Sequence, residues 1–445
     1  MKQLSLFEPI SSGDRETYQY IEGDIPVDLP ENTFISLDRK SPLKIYSLGF
    51  QPAKSIPEIP RWFLQKYGTK NCTILEPFAG SGTTILETLR YGASVYWLDY
   101  NPHSRLICQV KTTHFNLAEV QEVSLNILKN ARDRKTAPET VQFSNRDFWF
   151  QQPVQEGLEI LKESIHLAAK TIQPLLWLVF AATVRKTSDM NDGMILAAKR
   201  SHVKDIPQRS REDTFKYFKF YLDKTLEAIG EWQYLLNYPL ERAKQLSCKD
   251  AKKISGNFPI DAIITSPPYI NAIDYIWACK FELHWLDLVK TNKERLDLYS
   301  CEIGTERIVK QEYQALGHTG YIPLDRLIEE IYTGQKYKAS KGQNQLRARV
   351  VYKYFIEMKE HFQSCFTHLN SGGYYCFAIG HISKICGVEI PVADLLTDLA
   401  LEIGFKKEFS FHLLLKNRRL NLPRNVDWAG TIKYDTVVVL SKGEQ

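Results

Sequence analysis

This sequence lacks most of the features that would mark a membrane, secreted or metal-held protein. No stretch approaches the roughly 20 consecutive apolar residues that a membrane span needs. Met1 to Glu8 has no apolar signal-peptide core, so a cytoplasmic protein is expected. None of the eight cysteines forms a Cys-x-x-Cys pair, which argues against a zinc ribbon or a dithiol redox site; no metal site is indicated. Internal repeats and low-complexity tracts are absent. The net charge of +5 is too mild to argue for a polyanionic partner on its own.

What is present is the composition of a folded protein, with 44% hydrophobic and 24% charged residues. A length of 445 residues predicts one large domain with insertions, or two domains. Residues 1–44 read as a polar, irregular lead-in. In 45–104, Ile56, Ile59, Phe63 and Leu64 have helical spacing. An apolar strand, Cys72–Leu75, a glycine turn, a helix to Tyr91 and a second strand, Ser94–Leu98, follow. This is the opening of a doubly wound α/β sheet. The alternation then stops, and 105–242 reads as a mainly helical insertion. Strand signals return in 243–286, at Gln245–Cys248 and Ala262–Thr265. Residues 287–345 form a second, polar interruption. In 346–445, Tyr374–Ile379 reads as a strand, and Phe409–Leu415 with Thr436–Leu440 suits an antiparallel hairpin that closes the sheet.

The turn is Glu76-Pro-Phe-Ala-Gly-Ser-Gly-Thr83. Gly80 and Gly82 let the backbone turn sharply and approach a ligand, with a helix N-terminus behind them. A P-loop needs Gly-Lys-Ser/Thr, and no lysine lies here. A dinucleotide fingerprint needs a third glycine, where Ile85 stands. A plain tight turn stays open on the turn alone. Asp99 ends the next strand, where a carboxylate can accept from both ribose hydroxyls of a nucleoside. Glu76 offers a second carboxylate to a cationic group. A zwitterionic amino acid joined to adenosine suits this pair; a triphosphate does not.

Thr265-Ser-Pro-Pro-Tyr269 follows the strand Ala262–Ile264. Two prolines fix the loop and remove two N–H donors. The Ser266 hydroxyl and the Pro267 carbonyl remain as acceptors beside the ring of Tyr269. An amino group on a flat heterocycle matches them. A rigid turn with a core tyrosine is the plainer alternative.

These motifs together resemble the amino-methyltransferase family of DNA modification enzymes. Phe78-Ala-Gly-Ser-Gly82 is similar to that family's cofactor motif, and Ser266-Pro-Pro-Tyr269 to its catalytic motif in the form associated with N4-cytosine enzymes. Phe50 to Lys54 resembles the segment that wraps the cofactor's methionine end, Asp250 the acidic residue at the cofactor adenine, and Ser371–Gly380 the later strand beside the catalytic loop. The resemblance implies a Rossmann-like class I methyltransferase sheet with two insertions. It implies S-adenosylmethionine held by Phe50, Glu76, Phe78, Ala79, Gly80, Ser81, Gly82, Thr83, Asp99 and Asp250. It implies catalysis by Ser266, Pro267, Pro268 and Tyr269 on N4 of cytosine in double-stranded DNA. A cognate restriction endonuclease acting separately is the further partner such an enzyme implies. The alternatives are N6-adenine methylation, RNA base methylation and a DNA-binding subunit without catalysis. C5-cytosine chemistry is disfavoured, because it typically uses a Pro-Cys pair and none of the cysteines adjoins a proline.

Target recognition is expected in the insertions. Arg185, Lys186, Lys199, Arg200, Lys204, Arg209 and Arg211 make one candidate phosphate-contacting cluster. Lys336, Lys338, Lys341, Arg347 and Arg349 make a second, with Tyr332 and Tyr337 nearby, and Asn417 to Arg419 with Arg424 a third. For each, a solvated charged face is the competing reading. His381 reads as a loop residue, Asp274 as a helix cap, and Trp277–Leu288 as a core helix.

Overall fold

The computed structural model describes residues 18–39, 42–191, 194–199, 206–270, 273–340, 342–415 and 432–443. Among them the strands are β1 (Gln19–Glu22), β2 (Phe34–Asp38), β3 (Thr73–Glu76), β4 (Ser94–Trp97), β5 (Ala243–Gln245), β6 (Ile260–Thr265), β7 (Leu369–Gly380), β8 (Ile382–Ile385), β9 (Val388–Pro391), β10 (Phe405–Leu414) and β11 (Tyr434–Lys442). All but β8 and β9 join one sheet, in the order β1-β2-β10-β11-β7-β6-β3-β4-β5. From β7 to β5 the pairing is parallel. β11 runs antiparallel to both β7 and β10. This is the α/β sheet with a C-terminal antiparallel hairpin that the sequence predicts.

Successive side chains of a strand point to opposite faces, and the sheet has a core on each. Ile74, Ala262, Ile264, Cys376 and Ala378 face one core, which also takes the helices Glu58–Tyr67, Thr83–Tyr91 and Pro102–Lys111. Leu75, Ile263, Tyr375 and Phe377 face the other, against the helices Gln343–His368 and Val392–Ile403. A strand buried on both faces reads as an apolar run without alternation, as β6 does.

The inserted segments belong to these cores. Val120, Leu158, Leu176 and Phe218, on the helices between Leu117 and Leu235, pack into the first core. Ile303, Leu324 and Ile328 pack into the second.

The structure corrects two expectations. The lead-in is not irregular: β2 pairs parallel with β10, Phe34 opposite His412 and Ile35 opposite Leu413, and β1 adds the outermost strand. Runs of four and five residues carry too little periodicity to read, although Ile35 is fully buried. The strand expected at Gln245–Cys248 lies at Ala243–Gln245, where it pairs with Val95–Trp97. The third basic cluster, with Arg200, Lys204 and Lys341 of the other two, lies outside the described residues.

Candidate active site

The strand order reverses at β3. The chain passes from β3 to β4 on one side and returns to β6 on the other, so the loops leaving β3 and β6 part and open a crevice. Thr265 Oγ1 donates to Glu76 Oε1 across that point at 2.5 Å. A cavity of ≈ 460 Å³ opens there, lined by Glu76, Gly80, Asp99, Ser266 and Tyr269 among others.

The glycine turn builds one wall. Gly80 has φ +50 and Gly82 φ +80, and Gly82 caps the helix Thr83–Tyr91. Glu76 Oε1 also accepts from the Phe78 amide at 2.9 Å. Burial pushes the Glu76 carboxyl up to about 7, against the hydrogen bonds that favour its anion. The Leu98 amide donates to the Glu76 carbonyl at 3.1 Å, extending the β3–β4 ladder and bringing Asp99 beside the turn. Asp99 Oδ2 accepts from the Gly80 amide and Oδ1 from the Asn101 amide, each at 2.8 Å. Burial lifts Asp99 to about 6. A carboxylate has about four lone-pair directions, so both oxygens keep capacity for a ligand hydroxyl.

The opposite wall is the loop after β6. Ser266 Oγ donates to the Ala378 carbonyl of β7 at 3.2 Å, which leaves its lone pairs available. Pro267, Pro268 and Tyr269 line the cavity with it, as do Phe78, Ala79, Ser81 and Thr83 from the turn. Three expected residues stand apart. Gly82 lies behind the turn, where a Cβ would meet Cys108 Sγ at 3.4 Å. The Phe50 ring lies under the Arg185 guanidinium, 3.3 Å from its centroid, while the following Gln51 lines the cavity. Asp250 accepts from the Lys252 amide at 2.9 Å and does not line the cavity, although Lys249 and Ala251 do.

Further residues complete the site: Lys54 closes the segment begun by Phe50, and the others have no motif of their own. Lys54 Nζ donates to the Tyr46, Ser47 and Gly49 carbonyls at 3.2, 3.3 and 2.9 Å, and burial lowers its amine to about 8. Lys111, fully buried, donates from Nζ to the Ser81 carbonyl at 2.8 Å and props the turn from behind. Its signal was in the sequence: it continues the buried stripe Ser104, Ile107, Cys108 at helical spacing. Glu302, within the second insertion, accepts from the Tyr100 hydroxyl at 2.9 Å. Burial, then the nearby Asp274, pushes Glu302 up to about 8. Its neighbours Cys301 and Ile303 line the cavity, as do Leu37 and Arg39 from the N-terminal region.

Two members of the first basic cluster, Arg185 and Arg209, are not free to contact phosphate. Arg185 donates to the Ala278 and Ile195 carbonyls at 3.0 Å each and pairs with the buried Glu282 at 3.3 Å. Arg209 is buried against Asp189 at 3.4 Å. In the second cluster Arg347 pairs with Glu306 at 2.5 Å and Arg349 with Glu312 at 3.5 Å. Sequence counts charges and does not see that folding brings a carboxylate to each. Lys336 and Lys338 are exposed. Asp274 caps the short helix Tyr275–Ala278 as expected. His381 accepts or donates at Nδ1 to Thr436 Oγ1 at 2.9 Å and stacks on Tyr434.

The arrangement can hold a ligand that is both cationic and hydroxylated between Glu76 and Asp99. It can hold a flat polar ring between Ser266 and Tyr269. No protein-family model matches the chain. Type II methyltransferase M.MvaI of Kocuria varians is 21% identical over 410 residues, covering 84% of this chain and 85% of that one. Type II methyltransferase M.BsoBI of Geobacillus stearothermophilus is 28% identical over 393 residues, covering 78% and 76%. The chain is a distant homologue of type II methyltransferases. Type II methyltransferase M.AvaI of Anabaena variabilis agrees, at 24% identity over 412 residues and 81% and 82% coverage. TrmN from Thermus thermophilus overlaps with a TM-score of 0.29 at 11% identity, covering 87% of this chain and 48% of that one; the fold assignment rests on the strand order instead.

Proposed function

We propose that this chain is an S-adenosylmethionine-dependent DNA methyltransferase of the restriction-modification kind, acting on the exocyclic N4 of cytosine. The observation that carries the reading is that Ser266 and Tyr269 face the same cavity as Gly80 and Asp99, across the reversal of strand order. The type II methyltransferase relatives, matched along most of their length, support the reaction class and the DNA substrate.

The donor set fits the cofactor. Asp99 keeps acceptor capacity for ribose hydroxyls, Glu76 offers negative charge to a cationic amino-acid end, and no lysine stands in the turn. Asp250 and Phe50 do not line the cavity and are assigned to the adenine side and the methionine end through their neighbours Ala251 and Gln51, which do. The bound cofactor supplies an electrophilic methyl group. The protein's part is alignment. Ser266 Oγ and the Pro267 carbonyl accept from the two N–H bonds of the target amino group, so that its lone pair faces the methyl. Tyr269 stacks on the base, which must leave the duplex to reach the cavity.

Cofactor affinity should depend on pH. Glu76 and Asp99 hold their protons up to about 7 and about 6. Their anionic forms bind the ligand, so affinity rises as pH rises through those values. From about pH 8 to about pH 6, the dissociation constant is expected to weaken by about tenfold. A titration flat across this range would contradict the assigned roles.

The reaction is tested by methylating DNA with labelled cofactor, digesting it to nucleosides and separating them. N4-methylcytosine is the expected product. N6-methyladenine would overturn the choice of base, and label appearing only with RNA would overturn the choice of substrate.

A further inference from the structure

Lys280 and Arg295 follow the catalytic loop in sequence, and among the described residues neither has a carboxylate within ion-pair distance. Tyr275 lines the cavity, and the short helix it begins carries Trp277. Lys280 follows on the next helix and is 7% exposed. Its Nζ lies 4.0 Å from the ring centroid of Trp149 and 4.0 Å from that of Trp277. Among the described residues it has no hydrogen-bond acceptor and no ion pair. Arg295 approaches the same indole, 5.5 Å from its centroid, and its Nη1 is buried without a partner. Burial, and then the like charge of Arg295, lowers the Lys280 amine to about 8. His284, close enough to feel both, is driven to about 4 by burial and then by their charges.

Acids near the two cations in sequence face other partners; beside Arg295, Glu294 accepts from the Lys290 amide at 2.7 Å. Asp274 accepts from the Trp277 amide and the Tyr299 hydroxyl and pairs with Arg307 at 3.0 Å. Glu282 faces Arg185. Burying like charges without a counter-ion is costly, and aromatic faces offset only part of the cost. Such a pair is stabilised by an anion from outside the chain. The aromatic and cationic series continues outward from Trp149 to Phe148, which is 49% exposed and has Lys199 Nζ 4.0 Å above its ring. Alternating rings and cations are what a nucleic acid strand meets on a protein surface.

We infer that Trp277, Lys280 and Arg295 form an anion site that takes one backbone phosphate of the strand whose base enters the cavity. The inference rests on the proposed DNA substrate. It assigns positioning to a stretch whose sequence reads as plain core helix. Trp277 lies on the short helix begun by the cavity-lining Tyr275, so a phosphate held against it fixes the strand relative to the cavity.

The test uses the full chain, its Arg295→Gln, Lys280→Gln and Lys280→Arg variants, and a labelled DNA duplex titrated over a range of potassium chloride concentrations. Each glutamine variant should lose about tenfold in duplex affinity at low salt, and its salt dependence should flatten by about one phosphate contact. Lys280→Arg should keep the parental slope, and cofactor titration should be unchanged in all. If Lys280→Gln does not fold, which loss of cofactor binding would reveal, Arg295→Gln decides alone. Parental duplex affinity and slope in Arg295→Gln overturn the inference. So does inorganic phosphate binding lost in the variants while duplex affinity stays at the parental value. A parent that binds cofactor but no duplex refutes the DNA reading itself, before any variant is compared.

Discussion

Replacing Asp99 with alanine is expected to weaken cofactor binding by about two orders of magnitude. A hydrogen bond to a charged group contributes about 1.5–3 kcal/mol, and each 1.4 kcal/mol is tenfold in affinity. Two effects add. The ribose hydroxyls lose their proposed acceptor, and the Gly80 and Asn101 amides lose the oxygens that hold the turn in shape. Ser266→Ala makes the contrast. Among the described residues its hydroxyl bonds only to the Ala378 carbonyl, and beyond the protein to the proposed base. Cofactor affinity should stay at the parental value while single-turnover methyl transfer slows about tenfold or more. Calorimetric titration and rapid-quench rates measure the two. Equal loss of cofactor binding in both variants would refute the division of roles.

Arg209→Ala is expected to cost about 3–5 kcal/mol of folding stability. Asp189 lies beneath it with a side chain only 7% exposed, and removing the guanidinium leaves that carboxylate buried beside Gln151 alone among the contacts on its Oδ1. Denaturant titration gives the number. Replacing the pair together, as Arg209→Met with Asp189→Leu, should restore most of it, because an apolar pair carries no buried charge. An Arg209→Ala protein as stable as the parent would show that the pair contributes nothing and would return Arg209 to the candidates for DNA contact.

Arg209 also shows where reading the sequence stops. Local chemistry was legible: a glycine turn between strand and helix, a carboxylate at each neighbouring strand end, and a proline-stiffened loop after an apolar strand all stand where their patterns put them. Each is encoded within a few consecutive residues. What failed to show was whatever depends on distant partners. The helical stripe could place Lys111 inside but not name the Ser81 carbonyl, 2.8 Å away, as what it holds. Glu302 reaches Tyr100 across some two hundred residues of chain. The basic clusters counted charge correctly but not its pairing, because Glu282, Asp189 and Glu306 approach Arg185, Arg209 and Arg347 only on folding. β1 and β2 were missed because a strand this short is specified by the edge it joins rather than by its own period.

That edge has a bearing on how the protein is made. β2 joins the sheet only through β10, and Ser410 Oγ donates to Asn32 Oδ1 across nearly the whole chain. Leu37 and Leu413–Leu415, from these same two regions, both line the cavity. On the ribosome the first strands must therefore wait until β10, some 378 residues after Asn32, has been made. Contacts so distant in sequence form late and slow the search for the native state. A nascent chain halted before residue 405 would carry its glycine turn and its catalytic loop, yet have one side of the chamber between them missing. The cavity is therefore complete only once β10 has been made.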